Sequence, residues 1–137
     1  FLPVLAGQSG NTGCQALAVT LRGMTLGELK QGKERSLVTK EAWLGFYNGV
    51  LTGLVAGLGM LVVALYQGNP NAVALAIVVW LALVGACVTS GICGAMIPLT
   101  LKRFGLDPAT ASSIFLTTAT DVVSMGMCRW LANVLVL

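Results

Sequence analysis

Asp121 stands inside the run Thr117–Thr118–Ala119–Thr120–Asp121–Val122–Val123–Ser124, in a segment that otherwise reads as an apolar helix. It lies 13 residues after Pro108, which at ~1.5 Å per residue places it roughly 20 Å into a hydrocarbon core about 30 Å thick. An ionised carboxylate there costs about 2.5–3.5 kcal/mol even on the lenient insertion scale. Arg129 is a poor partner, being roughly 12 Å along the axis and about 80° around it.

The neighbours of Asp121 suggest a different role. Ser113, Thr117, Asp121 and Ser124 follow helical spacing, with Thr118 and Thr120 beside them, so one face carries hydroxyls and a carboxylate. Such a stripe must face protein or water rather than lipid. A matching stripe runs through the first segment, where Gln8, Asn11, Gln15 and Arg22 recur at helical spacing, flanked by Gly7, Gly10 and Gly13. If that segment stays helical its amides point one way; if it unwinds at the glycines, carbonyls open toward a cavity. Amide, hydroxyl and carboxylate oxygens suit hard cations such as Mg²⁺, Ca²⁺ or Mn²⁺. The competing reading is that the same polar groups tie helices together, at about 0.6 kcal/mol per contact.

Composition limits what surrounds these residues. The chain has 137 residues, 56% hydrophobic and 9% charged, with mean hydropathy +0.86. That is too little charge for a water-compatible surface, and the expected class is an all-α integral membrane protein. Neither a nucleic-acid footprint nor a cleavable signal peptide is visible, and no nucleophile–base pair suggests an enzyme. Cys14, Cys87, Cys93 and Cys128 fall in apolar runs, with no CxxC spacing and no histidine. They read as small buried side chains, not zinc ligands or disulfides.

Segments 42–66, 71–97 and 108–137 are long enough to cross a bilayer, and the interrupted segment 1–21 makes a fourth span. Residues 22–41 hold five of the eight basic residues, and 98–107 hold Lys102 and Arg103, whereas the loop at 67–70 has none. The positive-inside rule therefore puts 22–41 and 98–107 in the cytoplasm and 67–70 outside. Thr25 to Glu28 fits the capping box of a short interfacial helix. Asp107 and Pro108 supply an N-cap and a first-turn proline for the last helix. Gly45, Gly49, Gly53 and Gly57 recur every fourth residue, and "GACVTSGICGA" follows in the next span. Both read as surfaces for close helix packing.

The order and spacing of "GNTGCQALAVTLRGMTLGE", "KEAWLGFYNGVLTGLVAG", "IPLTLKRFGLDPATASS" and "TTATD" resemble the transmembrane domain of the MgtE magnesium channels and their eukaryotic solute-carrier relatives. The resemblance implies one transmembrane cation-channel domain over residues 1–137, forming a homodimer with a pore between protomers. It implies that Asp121 is the pore carboxylate holding a largely hydrated Mg²⁺. Asn11 matches a polar residue facing that pore, Thr117 and Thr118 match the adjacent helical turn, and Gln15 and Ser124 are expected to add oxygens to the wall. Ile114 and Ser124 depart from the family pattern, which commonly has proline and glycine there.

A fifth, upstream helix and a cytoplasmic magnesium-sensing part are family features outside this chain. The expected setting is the plasma or inner membrane. The expected activity is passage of Mg²⁺, with Mn²⁺, Co²⁺ or Ca²⁺ as other candidates. Alternatives are an exchanger coupling Mg²⁺ to Na⁺ or H⁺, and a non-conducting membrane scaffold.

Overall fold

The computed structural model describes residues 1–29 and 32–136. Four helices follow in chain order: α1 (Leu2–Thr25), α2 (Glu34–Tyr66), α3 (Ala72–Arg103) and α4 (Pro108–Leu135). By length and composition, α2 and α3 are apolar enough to cross a membrane. The polar stripes of α1 and α4 dilute their hydropathy.

α3 is the centre of the bundle, and the other three helices pack on it. Its contact with α2 is built on glycine. Gly45, Gly49, Gly53 and Gly57 are all buried, and a Cβ at Gly49 would stand 2.6 Å from Cα of Val84 and one at Gly57 3.1 Å from the Ala76 carbonyl oxygen. At Gly45 it would collide with the Cys87 carbonyl. The glycine ridge thus lets two backbones approach closely, where lipid offers no hydrophobic drive and packing must act instead. Trp80 adds an Nε1–H bond to the Val50 carbonyl at 3.4 Å.

α1 runs parallel to α3, with Gly13 and Leu17 against Gly94. Across this contact the Ser90 hydroxyl donates to the Ser9 carbonyl, and Thr12 Oγ1 approaches Cys87 Sγ at 3.6 Å. α4 runs antiparallel to α3, setting Met127 against Gly85. A core of Leu5, Val79, Ala82, Leu83 and Cys87 closes the loop-67–70 end, with Met60, Cys128 and Leu131 packed on it. The end of α1, the start of α2 and the end of α3 lie together at the opposite end, where Arg103 pairs with Glu34.

Three expectations need correction. The described residues between Thr25 and Glu34 form turns, not an interfacial helix. Thr25 is the last residue of α1, and its hydroxyl donates back to the Leu21 and Arg22 carbonyls instead of capping a new helix. Gly27, at φ +67°, turns the chain there. α2 starts eight residues earlier than position 42, because nothing in "ERSLVTKE" breaks a helix. α3 runs past Pro98 to Arg103, although the proline leaves the carbonyl of residue 94 without its helical N–H and its ring crowds that carbonyl. The first segment stays helical through its glycines.

Candidate functional site

α4 begins as its sequence dictates. The Asp107 side chain accepts from the Ala109 N–H at 3.0 Å and from the Thr110 hydroxyl at 2.7 Å, and Pro108 occupies the first helical position. These donors hold the Asp107 carboxyl below its ordinary range, the Thr110 hydroxyl contributing most. The cap fixes the start of the helix that carries Asp121.

Asp121, Thr117 and Thr118 are exposed on α4, as is Ser113 one turn earlier. Both threonine hydroxyls are turned to their own backbone: Thr117 donates to the Ser113 carbonyl at 3.0 Å and Thr118 to that of Ile114 at 3.0 Å. Their free lone pairs still point outward as acceptors for water. Among the described residues no basic side chain lies within ion-pairing distance of Asp121, and Arg129 is exposed on the same helix.

On α1, Asn11 and Gln15 are exposed and Gln8 is half-buried. Cys14, expected as a small buried side chain, is instead exposed beside them. α1 and α4 are antiparallel neighbours in register at Gly13, where a Cβ would lie 3.1 Å from Leu116 Cδ1. Counting from that contact, Asn11 is roughly level with Thr118, and Asp121 lies about one turn further on. The open polar surface therefore spans two adjacent helices.

The stripe predicted on α4 divides in two. Ser124 is fully buried, and its hydroxyl donates to the Asp121 carbonyl at 3.1 Å. Thr120 is buried as well and donates to the Thr117 carbonyl at 3.0 Å. The expectation that Ser124 adds an oxygen to the open wall thus gives way to burial inside the bundle. Position 124 lies some 60° around the axis from position 121 but only about 20° from exposed Thr117, so its burial depends on its level along α4 as well as on its angle.

The sequence reading passed over Ser9, Thr12 and Ser90, which form the buried polar seam between α1 and α3. The period Ser9, Thr12, Ala16, Thr20 was visible but was overshadowed by the amides between. Glu41 was also missed. Grouped with the basic loop, it is buried at 4% exposure, and its Oε1 finds no partner among the described residues.

Among the described residues no three Cys, Asp or Glu side chains converge into a chelating cluster. The arrangement offers one carboxylate per chain, with amides and hydroxyl oxygens around it. That set can bind the water shell of a hard cation and lacks the thiolates and imidazoles of zinc or copper sites.

Comparison with known proteins adds an independent line. Residues 2–130 match the family model described as MgtE, divalent cation transporter. The chain is 33% identical over 125 residues to the magnesium transporter MgtE of Enterococcus faecalis, 32% over 126 to that of Bacillus subtilis and 31% over 125 to that of Thermus thermophilus. Each match covers 91% of this chain and 26% of the relative, so the chain spans about a quarter of the length of these curated relatives. A match running through all four helices, on a fold with two membrane-length apolar helices, makes the chain a membrane protein of the MgtE divalent cation transporter family.

Proposed function

We propose that residues 1–137 form a single transmembrane domain that passes Mg²⁺ through a pathway between two copies, with Asp121 of each copy at its constriction. The observation that carries this reading is the exposed polar surface of Asn11, Gln15, Thr117, Thr118 and Asp121 on two adjacent helices. α1 and α4 flank α3, so where α3 crosses the bilayer they cross with it, giving four spans. A carboxylate and amides exposed beside a membrane-length helix need a cover other than lipid. A second copy meeting the first across this surface supplies it and leaves room for water.

Two Asp121 carboxylates would then face a doubly charged ion, which offsets the repulsion between them. Mg²⁺ dehydrates reluctantly, and the oxygens of Asn11, Gln15, Thr117 and Thr118 suit its bound waters. Conduction needs binding strong enough for entry and weak enough for exit, which a single carboxylate per copy favours over a closed cage. The basic segments 22–41 and 98–107 face the cytoplasm on this reading. The membrane potential would drive entry with about 2.3 kcal/mol per charge per 100 mV, twice that for a divalent ion.

The test is divalent flux into liposomes for the wild-type protein, Asp121→Asn and Asp121→Ala, with Mg²⁺, Mn²⁺, Co²⁺ and Ca²⁺ in turn. Both variants should lose Mg²⁺ uptake while remaining monodisperse. Undiminished uptake in Asp121→Asn overturns the carboxylate assignment. Uptake that stalls when a Na⁺ or H⁺ gradient is removed replaces the channel with an exchanger. A folded wild-type protein that passes none of these ions replaces both with a scaffold.

A further inference from the structure

At the basic end of the bundle, α1 and α2 both pack on α3 and part from one another, leaving a cleft of about 410 Å³. Its lining combines two chemistries. Val19, Leu29 and Leu37 form an apolar wall, and Arg22, Lys33 and Lys40 place three cations around it against one carboxylate, Glu28. The pairing is built into both helices: Val19 lies one turn from Arg22, and Leu37 lies one turn from each of Lys33 and Lys40. Leu29 is held in place because the chain folds back over the end of α1. The Glu28 and Leu29 N–H groups donate to the Gly23 carbonyl at 3.1 and 3.4 Å, and a Cβ on Gly23 would lie 3.2 Å from Leu29 Cδ1.

The three cations are exposed. The ion pair found among the described residues, Arg103 with Glu34, lies elsewhere, between α2 and α3. An occupant must therefore present an anion to Arg22, Lys33 and Lys40 and hydrocarbon to Val19, Leu29 and Leu37. An acidic peptide meets the first demand alone, and a neutral lipid the second alone. We infer that this cleft binds an anionic phospholipid, with its phosphate among the three cations and the start of an acyl chain along the apolar wall. Basic pockets between membrane helices on the cytoplasmic side suit such headgroups, at about a fivefold affinity gain per cation near the surface.

Delipidated protein titrated with phosphatidylglycerol or phosphatidylcholine and read by native mass spectrometry tests this. Phosphatidylglycerol should be retained selectively. The combined Arg22→Gln, Lys33→Gln and Lys40→Gln variant should weaken its binding by about a hundredfold, and Lys33→Gln alone by about fivefold. Lys33 has an exposed side chain that makes no capping bond, so the single variant carries the test if the triple variant does not fold. Lys102→Gln with Arg35→Gln removes charge at the same end but outside this cleft and should leave retention unchanged. Equal loss in that control reduces the effect to general attraction and overturns the site. Equal retention of both lipids overturns it too. Full competition by glycerol phosphate shows that the cleft takes a soluble anion rather than a lipid, and an acidic peptide displacing the lipid from wild type but not from Lys33→Gln assigns it to a protein segment.

Discussion

Gly94 of α3 faces the backbone of Gly13 of α1 so closely that a Cβ at position 94 would stand 2.5 Å from the Gly13 carbonyl oxygen and 2.8 Å from Ala16 Cβ. This contact fixes how far α1 stands from the central helix, and α1 carries Asn11 and Gln15. Gly94→Ala has no flexible neighbour to displace, so the helices must separate, at about 1–3 kcal/mol. The expected result is a lower thermal midpoint in detergent together with reduced Mg²⁺ flux. Gly10→Ala, where nothing lies within 4 Å, should keep its midpoint. Equal losses in the two variants would place the sensitivity elsewhere.

Cys14 offers a test that needs no new side chain in the pathway. It is exposed on the side that carries Asn11 and Gln15, while Cys87 is buried against Thr12. A charged, membrane-impermeant thiol reagent should reduce Mg²⁺ flux in wild-type protein and have little effect on Cys14→Ser. Block that persists in Cys14→Ser would show that this side of α1 does not border the ion path.

Ser124 and Thr117 should behave differently although sequence places both on one stripe. Ser124→Ala removes a bond to the carbonyl of its own helix at Asp121 and adds no volume, so flux should stay within about twofold of wild type. Thr117→Val keeps the shape at an exposed position but loses the oxygen, and flux should fall by about fivefold, the worth of one hydrogen bond. Parallel measurement of both variants decides between the buried and the open face.

That division marks where sequence stops being informative. The helices were legible because apolar runs, the Asp107–Pro108 start and the glycine repeat each name a local structure. The partner of the repeat was not, since Gly45 to Gly57 specify closeness without saying to what. The Thr25–Glu28 box matched a start signal, yet those residues sit at a helix end, because a hydroxyl serves either terminus. Ser124 stands seven residues beyond Thr117 at nearly the same angle around the axis, and which level of that line is covered depends on the neighbouring helices. Glu41 carries a charge that commonly marks a surface, and only packing against Gly91 reveals it as buried.

Acid should loosen the start of α4. The Asp107 carboxyl is held below its ordinary range by Thr110 and Ala109. A depressed carboxylate contributes stability that is present above its unfolded value, about 3.9, and lost as pH falls through the folded one. Hydrogen exchange at the Ala109 amide should therefore be protected at neutral pH, and that protection should fade only below the usual carboxylate range. Asp107→Asn keeps an acceptor for the cap but does not titrate there, so its protection should vary little across the same window. A wild-type profile equally flat would remove the ionised cap from the account.

The buried carboxylate of Glu41 makes the last and sharpest prediction. Its Oε1 has no partner among the described residues, and its backbone carbonyl lies where a Cβ on Gly91 would be 2.5 Å away. Holding an ionised carboxylate there costs several kcal/mol, whereas an amide of the same shape costs less. Glu41→Gln should therefore leave the thermal midpoint unchanged or raise it by a few degrees, while Gly91→Ala, which forces α2 away from α3, should lower it. A marked fall in Glu41→Gln would mean that the carboxylate meets a cation or donor brought by another copy or by an ion. Repeating the melt at increasing Mg²⁺ then separates those sources, since an ion-dependent partner would raise the wild-type midpoint and leave that of the variant in place.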